Sequence, residues 1–242
     1  MKSPVNQSVL WQESIQRNQK QFGLSGRLTE IKPTETALVI VDMQNFYLLD
    51  GSTNFCPFAL EIVPNINRLA GTFRNIGAPV IWLRNIFTNK DVKDWSAFYG
   101  HLTQERLNYR RTELSKDGLG FKLFDHLDIR SSDRKINKSR FSAFAKGSSN
   151  IEKVLGEHGI ELLIICGIVT NVCVESTVRD AMMLNYDVLV AEDSCAASNP
   201  KAHEASINSM YTHFADVMLT DDIISKLHNG DKKTHHNKLK TK

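Results

Sequence analysis

The chain has 242 residues, of which 41% are hydrophobic and 24% charged, and its formal net charge is +3. This length favours one large domain, and the composition is that of a globular protein with apolar material for one substantial core. The small net charge does not indicate a nucleic-acid-binding protein. The sequence contains no run of eighteen apolar residues, so we expect no transmembrane helix.

The cysteines and the N-terminal sequence bear on the cellular compartment in which the protein works. The first thirty residues are polar and contain no apolar signal-peptide centre. The four cysteines have no C-x-x-C spacing and are too sparse for a disulfide framework; they are Cys56, Cys166, Cys173 and Cys195. We therefore expect a reduced, cytoplasmic protein.

The N-terminal part of the chain, residues 1–35, is predicted to be an extension with a helix over residues 10–22. A regular pattern begins after it. Residues 37–43, ALVIVDM, are an almost continuous apolar run that ends beside an acid. Such a run is typical of a strand that is buried on both faces.

A helix, a second strand and a long insertion follow. Apolar residues at helical spacing predict a helix from about Val63 to Asn75, and residues 79–85, PVIWLRN, predict a strand. Residues 86–132 are rich in charged and aromatic residues, so we expect an irregular excursion with short helices. Insertions of this length are often functional.

The rest of the chain alternates between strands and helices. The predicted elements are a strand over 133–138, a helix over 148–159, a strand over 161–166, a helix over 172–185, a strand over 187–193, a helix over 199–215, a strand over 216–220 and a helix over 221–227. Alternation of this kind predicts a parallel sheet with right-handed crossovers. We predict a single three-layer α/β/α domain, Rossmann-like, over residues 36–228, and a disordered basic tail over residues 229–242.

Reactive side chains stand at or near the ends of three predicted strands. Asp42 ends the first strand, Lys138 ends the third, and Cys173 follows the fourth at the predicted start of a helix. In open parallel sheets, functional sites lie outside the carboxyl ends of the strands. We therefore expect these three side chains to converge at one edge of the sheet.

Cys173 has two interpretations. A helix N-terminus favours a thiolate, a neighbouring lysine would lower the pKa of the thiol, and a carboxylate could accept its proton. Alternatively, Cys173 is a small apolar residue that packs between helix and sheet. Asp42 and Lys138 also have non-catalytic interpretations: Asp42 could be a surface cap and Lys138 a solvated lysine. The residues by themselves leave these interpretations open.

Three motifs, ALVIVDMQN, KSRFSAF and GIVTNVCVESTVRDAM, resemble those of the isochorismatase-like cysteine hydrolases in order and spacing. The resemblance runs from about residue 36 to residue 220. It implies a six-stranded parallel sheet, with Asp42 as general base, Lys138 as its charge partner and Cys173 as nucleophile. It also implies a cis peptide bond between Ile168 and Val169, which aims the main-chain N–H groups of Val169 and Cys173 at an oxyanion.

The same resemblance narrows the reaction. Nicotinamidases of this family carry a metal site with a D-x-H element after the second strand, but residues 82–95 here contain no histidine. We therefore expect no catalytic metal and no cofactor. True isochorismatases cleave a vinyl ether and commonly lack the cysteine, so Cys173 favours hydrolysis of a carbon–nitrogen bond through a thioester.

Within the family, the motifs are most similar to those of ureidoacrylate and N-carbamoyl amidohydrolases. On that basis Asn85 contacts substrate, and Phe141 replaces a tyrosine and cannot donate its hydrogen bond. Lys122 either lines the pocket, which would suit a carboxylate-bearing substrate, or lies on the surface. Candidates for the pocket mouth, with structural roles equally open, are Gln44, Asn45 and Phe46.

Two alternatives to an amidohydrolase remain from the sequence. One is an isochorismatase, and the other is a catalytically idle member of the family that serves as an interaction module. The resemblance further implies a homodimer or homotetramer. We expect a small-molecule amide or ureido substrate as partner, and neither nucleic acid nor membrane.

Overall fold

The computed structural model describes residues 9–23, 28 and 31–228. The predicted basic tail over residues 229–242 lies outside the described residues. Within them, no helix is both long and apolar enough to span a bilayer.

Six parallel strands form one sheet, as predicted. The strands are β1 (Thr36–Val41), β2 (Val80–Asn85), β3 (Arg134–Lys138), β4 (Leu162–Ile168), β5 (Asp187–Ala196) and β6 (Asp216–Met218). Their order in the sheet is β3-β2-β1-β4-β5-β6. Every residue of β1 and β4 is buried, because these strands are central and helices cover both faces of the sheet.

The helices fall between the strands and in the long insertion. They are α1 (Val9–Phe22), α2 (Asn45–Leu48), α3 (Val63–Asn75), α4 (Asn89–Asp94), α5 (Ser96–Tyr99), α6 (Gln104–Glu113), α7 (Ile151–Glu157), α8 (Glu175–Met183), α9 (Pro200–His213) and α10 (220–228). The insertion between β2 and β3 contains α4, α5 and α6, which confirms the prediction of an excursion with short helices.

The predicted N-terminal extension contributes one helix, α1, that packs on α9. The rings of Trp11 and Tyr211 lie 4.5 Å apart. The Ser14 hydroxyl donates a hydrogen bond to Asn208 at 2.7 Å, and the Asn18 amide donates one to the main-chain oxygen of Tyr211 at 2.7 Å. This helix therefore packs against the α/β domain and is part of the folded structure.

The strand order creates a switch point between β1 and β4. The chain builds β2 and β3 on one side of β1 and then returns to place β4, β5 and β6 on the other side. The connections that leave β1 and β4 therefore diverge, and a crevice forms outside the carboxyl ends of these two strands.

Gly167 allows β1 and β4 to approach closely beside this crevice. Its φ is +110°, and a Cβ added to it would lie 2.3 Å from the main-chain oxygen of Val41. Any other residue would collide with the backbone of β1. Glycine is thus required for the register that pairs Val41 with Gly167.

Candidate active site

Asp42 directly follows β1 and turns the chain out of the sheet. Its φ of +53° lies in the left-handed region, where aspartate is among the better-tolerated residues. Its N–H still donates to the main-chain oxygen of Leu83 at 3.1 Å, and its own carbonyl accepts from the N–H of Gln44 at 2.7 Å. The strand therefore ends at Val41, two residues earlier than predicted, and the turn fixes the direction of the carboxylate.

Lys138, the last residue of β3, forms a buried ion pair with Asp42. Strand β2 lies between β3 and β1, so the side chains of Lys138 and Asp42 together bridge two strand spacings, or about 10 Å. The Lys138 Nζ donates to Asp42 Oδ2 at 2.7 Å and to the main-chain oxygen of Arg140 at 3.2 Å. The exposed fractions of the two side chains are 0% for Lys138 and 1% for Asp42. The long lysine side chain thus brings the end of an edge strand to the switch point.

Cys173 lies after β4, in the connection that begins with Val169. The peptide bond between Ile168 and Val169 is cis, at the position that the resemblance implies. Residues Thr170–Val174 form a single π-helical turn, and α8 begins only at Glu175. The predicted helix start at residue 172 is therefore wrong: Cys173 is the fourth residue of a wider turn that precedes the α-helix. Turns of this type are frequent at functional sites.

Side chains from α8 and α9 hold this turn. Thr177 Oγ1 donates to the main-chain oxygen of Cys173 at 2.7 Å. From α9, the Ser206 hydroxyl lies within hydrogen-bond distance of the main-chain oxygen of Thr170, at 3.2 Å, and His203 Nδ1 lies 2.9 Å from Thr170 Oγ1. The position of Cys173 therefore depends on two helices that pack behind the turn.

Electrostatics at the sulfur differ from the expectation. Burial raises the pKa of Cys173 to about 12, although the positive charge of Lys138 opposes the shift. The negative charge of Asp42 and its hydrogen bond act in the same direction as burial. The sequence predicted that the lysine would lower the pKa of the thiol, and the Lys138 charge does so. Burial outweighs it, because only 4% of Cys173 is exposed, so the net shift does not favour the thiolate. The resting group is a thiol that needs an adjacent base.

Asp42 is placed to be that base. Burial by itself would lower the pKa of Lys138, but the negative charge of Asp42 and the hydrogen bonds to Asp42 and Cys173 outweigh it, so the pKa of the lysine is raised and the ammonium persists. Asp42 Oδ2 accepts from this ammonium, whereas Oδ1 is buried without a hydrogen-bond partner among the described residues. One carboxylate oxygen is therefore available to accept a proton.

Gln44 and Asn85, two predicted pocket residues, join the ends of β1 and β2. The Gln44 amide donates to the main-chain oxygens of Asn85 at 3.0 Å and Phe121 at 2.9 Å, and Gln44 Oε1 accepts from the Asn85 N–H at 2.6 Å. These bonds give Gln44 a structural role. The Asn85 amide donates to the Tyr47 hydroxyl at 2.8 Å, which orients that hydroxyl.

The remaining predicted substrate-binding residues do not all lie beside Asp42, Lys138 and Cys173. The Asn45 amide donates to the main-chain oxygen of Leu119 at 3.2 Å, a structural bond. Lys122 is exposed, which favours the surface interpretation that the sequence left open. Phe141 is half-buried and packs edge-on against Trp95, with ring centroids 4.8 Å apart. Phe46, by contrast, is buried beneath the guanidinium of Arg110.

Sequence reasoning missed Tyr47 and Arg110. Burial raises the pKa of Tyr47, and the negative charge of Asp42 raises it further, so its hydroxyl stays protonated. The proximity of Tyr47 to Asp42 in the sequence was a usable signal. Arg110 gave none, because it is one of three arginines in the charged segment ERLNYRRTE and only the fold buries it.

No group of three or more His, Cys, Asp and Glu side chains is arranged to hold a metal ion among the residues that the structure describes. The expectation that catalysis needs no metal stays a prediction.

Comparison with known proteins agrees with this architecture. The family model of the isochorismatase domain matches residues 36–222. The ureidoacrylate amidohydrolase RutB of Pseudomonas syringae pv. syringae is 34% identical over 206 residues, which cover 79% of this chain and 83% of that protein. A protein of Arabidopsis thaliana described as a probable inactive nicotinamidase is 35% identical over 180 residues, or 72% of this chain and 87% of that protein.

The fold has close counterparts among solved structures. A cysteine hydrolase from Pseudomonas syringae pv. phaseolicola superposes with a TM-score of 0.71 at 23% sequence identity, covering 84% of this chain and 97% of that one. This likeness shows the three-layer fold. Together with the domain match over residues 36–222, it means that the chain belongs to the isochorismatase family of hydrolases.

Proposed function

We propose that this protein is a cysteine hydrolase that needs no catalytic metal and cleaves a carbon–nitrogen bond in a small amide or ureido compound. The observation that carries the proposal is the buried Lys138–Asp42 ion pair, 2.7 Å long, at the switch point where the Cys173 thiol also lies. The name of the Pseudomonas syringae relative, a ureidoacrylate amidohydrolase, supports an ureido substrate.

The first half of the reaction forms a covalent intermediate. Asp42 Oδ1 takes the thiol proton as the Cys173 sulfur attacks the substrate carbonyl. Because the pKa of the resting thiol is raised, proton removal and attack are coupled. The carbonyl oxygen becomes an oxyanion, for which the main-chain N–H groups of Val169 and Cys173 are the proposed donors.

The second half releases the products. The oxyanion collapses, the carbon–nitrogen bond breaks, and Asp42 returns its proton to the leaving nitrogen. The intermediate is a thioester from a carboxamide, or an S-carbamoyl group from an ureido compound. Asp42 then takes a proton from water as the water attacks, and the departing Cys173 sulfur recovers a proton. Lys138 balances the charge of Asp42 through these steps.

The test measures ammonia release from a panel of small carboxamides and ureido acids, for the wild type, Cys173→Ala and, as a matched control, Cys56→Ala. Cys56 is also buried, and burial raises its pKa as well. We expect Cys173→Ala to lower kcat at least about 10³-fold and Cys56→Ala to leave it nearly unchanged. Mass spectrometry of the wild type during turnover should detect the substrate acyl or carbamoyl group on Cys173.

Two results would contradict the proposal. Ammonia release that persists in Cys173→Ala would show that the sulfur is not the nucleophile. Hydrolysis of isochorismate that survives in Cys173→Ala, measured separately, would favour vinyl-ether cleavage. A wild type that hydrolyses nothing in the panel would favour the idle interaction module, consistent with the existence of a relative described as inactive.

A further inference from the structure

Helix α6 of the insertion carries a buried cation toward the candidate site. Arg110 is only 8% exposed. Its guanidinium carbon lies 5.4 Å from the ring centroid of Phe46 and 5.3 Å from that of Phe98. Phe46 belongs to α2, which begins three residues after Asp42. The insertion and the end of β1 therefore enclose the guanidinium together.

Arg110 has no carboxylate partner among the described residues, and its Nε is buried without a hydrogen bond. Two half-buried arginines of the described structure differ from it, because each has a carboxylate partner. Arg74 pairs with Asp133 at 2.8 Å, and Arg140 pairs with Asp91 at 3.1 Å. Burial of a charge without an opposite charge is unfavourable, because the group loses its water. The Phe46 and Phe98 rings and the Tyr99 side chain offset part of this cost, and a bound anion would offset more of it.

Two side-chain polar atoms in or near the candidate site, Asp42 Oδ1 and Arg110 Nε, are buried without a hydrogen bond among the described residues. The Tyr99 side chain interacts with Arg110 through a hydrogen bond, and the Arg110 charge opposes the burial that raises the pKa of Tyr99. Buried polar atoms in native proteins are nearly always paired, so these two exceptions point to a ligand.

The position of Arg110 relative to the sulfur fits a substrate contact. Burial dominates the raised pKa of Cys173, and the Arg110 charge is among the groups that oppose it. Arg110 likewise opposes the raised pKa of Tyr47. The packing agrees with this proximity, because Phe46 contacts the guanidinium on one side and packs edge-on against Tyr47 at 5.0 Å on the other. Arg110 is therefore a candidate contact for a small molecule whose carbonyl sits at Cys173.

We propose that Arg110 binds a carboxylate of the substrate, which makes the preferred substrates amide or ureido acids rather than neutral amides. This inference rests on the proposed hydrolysis for its choice of substrate. The planar guanidinium fork matches a carboxylate in two parallel hydrogen bonds, and the Phe46 and Phe98 rings exclude water from that contact. Arg110 is thus a specificity-determining residue that the insertion supplies.

The test compares 3-ureidoacrylate with its methyl ester, with ammonia release from the ureido group as the readout for both. For the wild type we expect kcat/KM to be about 10²-fold higher for the acid. Arg110→Met should lose about that factor on the acid and change little on the ester, and Arg110→Lys should recover part of the loss. Arg111→Met is the matched control, because Arg111 is the next residue of α6 but is exposed, and it should behave as the wild type.

Equal wild-type rates on acid and ester would overturn the proposal, as would an equal loss on both in Arg110→Met. If Arg110→Met does not fold, the ratio of kcat/KM for the acid to that for the ester is measured in Arg110→Lys, since this variant keeps the charge and loses the fork. A ratio below that of the wild type supports the proposal, and an unchanged ratio overturns it.

A binding measurement separates this inference from the proposed hydrolysis. Calorimetry with 3-ureidoacrylate on Cys173→Ala needs no turnover. We expect the acid to bind this variant about 10²-fold more tightly than the ester does, and the preference to disappear in the Cys173→Ala/Arg110→Met double variant. If Cys173→Ala binds with this preference and the wild type hydrolyses neither compound, the proposed hydrolysis is refuted and the anion site is kept. Equal binding, or no binding of the acid, would refute the anion site.

Discussion

Asp133 and Asp42 are two aspartates of equal burial at opposite edges of the same sheet. Asp133 precedes β3, and its partner is Arg74; Asp42 pairs with Lys138 at the other end of β3. Each carboxylate is 1% exposed. The two carboxylates therefore differ in their hydrogen bonding rather than in their own access to water, although Arg74 is 16% exposed and Lys138 is fully buried.

The carboxylate at the amino-terminal edge is saturated. Asp133 Oδ1 accepts from Arg74 Nε at 2.9 Å, and Oδ2 accepts from Arg74 Nη2 at 2.8 Å, Trp82 Nε1 at 2.9 Å and the Arg130 N–H at 2.9 Å. Burial opposes ionisation of Asp133, but these bonds outweigh it and hold the pKa of its carboxyl below the usual value. This network joins α3, β2 and the start of β3.

The carboxylate at the other edge is left incomplete. Asp42 Oδ2 accepts from Lys138, and Oδ1 has no hydrogen-bond partner in the described part of the chain. A saturated carboxylate can stabilise the fold but has no free oxygen for a proton. Asp42 thus keeps one buried oxygen without a hydrogen bond among the described residues, and this fits the role of base that we propose for it.

The largest expected effect is on activity, and it separates the two aspartates directly. Asp42→Asn removes the base and should lower kcat by about 10⁴-fold, because an amide cannot accept the thiol proton. Asp133→Asn, the matched control, should leave kcat within about twofold while it lowers stability. Ammonia release at substrate saturation measures both. Comparable losses of kcat in the two variants would show that the open oxygen of Asp42 has no special role.

The next effect is on stability, through the two cations. Lys138→Met leaves Asp42 buried without compensation and should lower the free energy of unfolding by about 3–5 kcal/mol. Arg74→Met should lower it less, because Asp133 retains the bonds from Trp82 and the Arg130 N–H. Urea unfolding measures both. A smaller loss for Lys138→Met than for Arg74→Met would contradict the view that Asp42 depends on a single donor.

The smallest expected effect is on the free energy of unfolding when the hydrogen bonds of Asp133 are removed, and this effect should depend on pH. Asp133→Asn should lower the free energy of unfolding by about 1–3 kcal/mol at neutral pH. Because the pKa of Asp133 is lowered on folding, its stabilisation is present above the unfolded pKa, about 4, and is lost as the pH falls through the folded value. The difference between wild type and variant should therefore shrink below about pH 4. Urea unfolding between neutral and acid pH measures it, and a constant difference would contradict the assignment.

Much of the fold follows from patterns within the sequence. Apolar runs and helical spacing predict the strands and helices, and their alternation leads to a parallel sheet. Two predicted element boundaries were wrong, and in each case a local backbone feature was responsible. The left-handed Asp42 ended β1 early, and the π-helical turn Thr170–Val174 moved Cys173 away from an α-helix start.

The sequence by itself determined which strands form and that Asp42, Lys138 and Cys173 share an edge, because periodicity and the rule for parallel sheets depend on residue order alone. Only the tertiary structure decided the sign of the Cys173 pKa shift and the burial of Arg110. Both depend on how much water the neighbouring elements exclude. For Arg110 it arises from packing against Phe46 of α2 and Phe98 of α5, and no local sequence pattern encodes it.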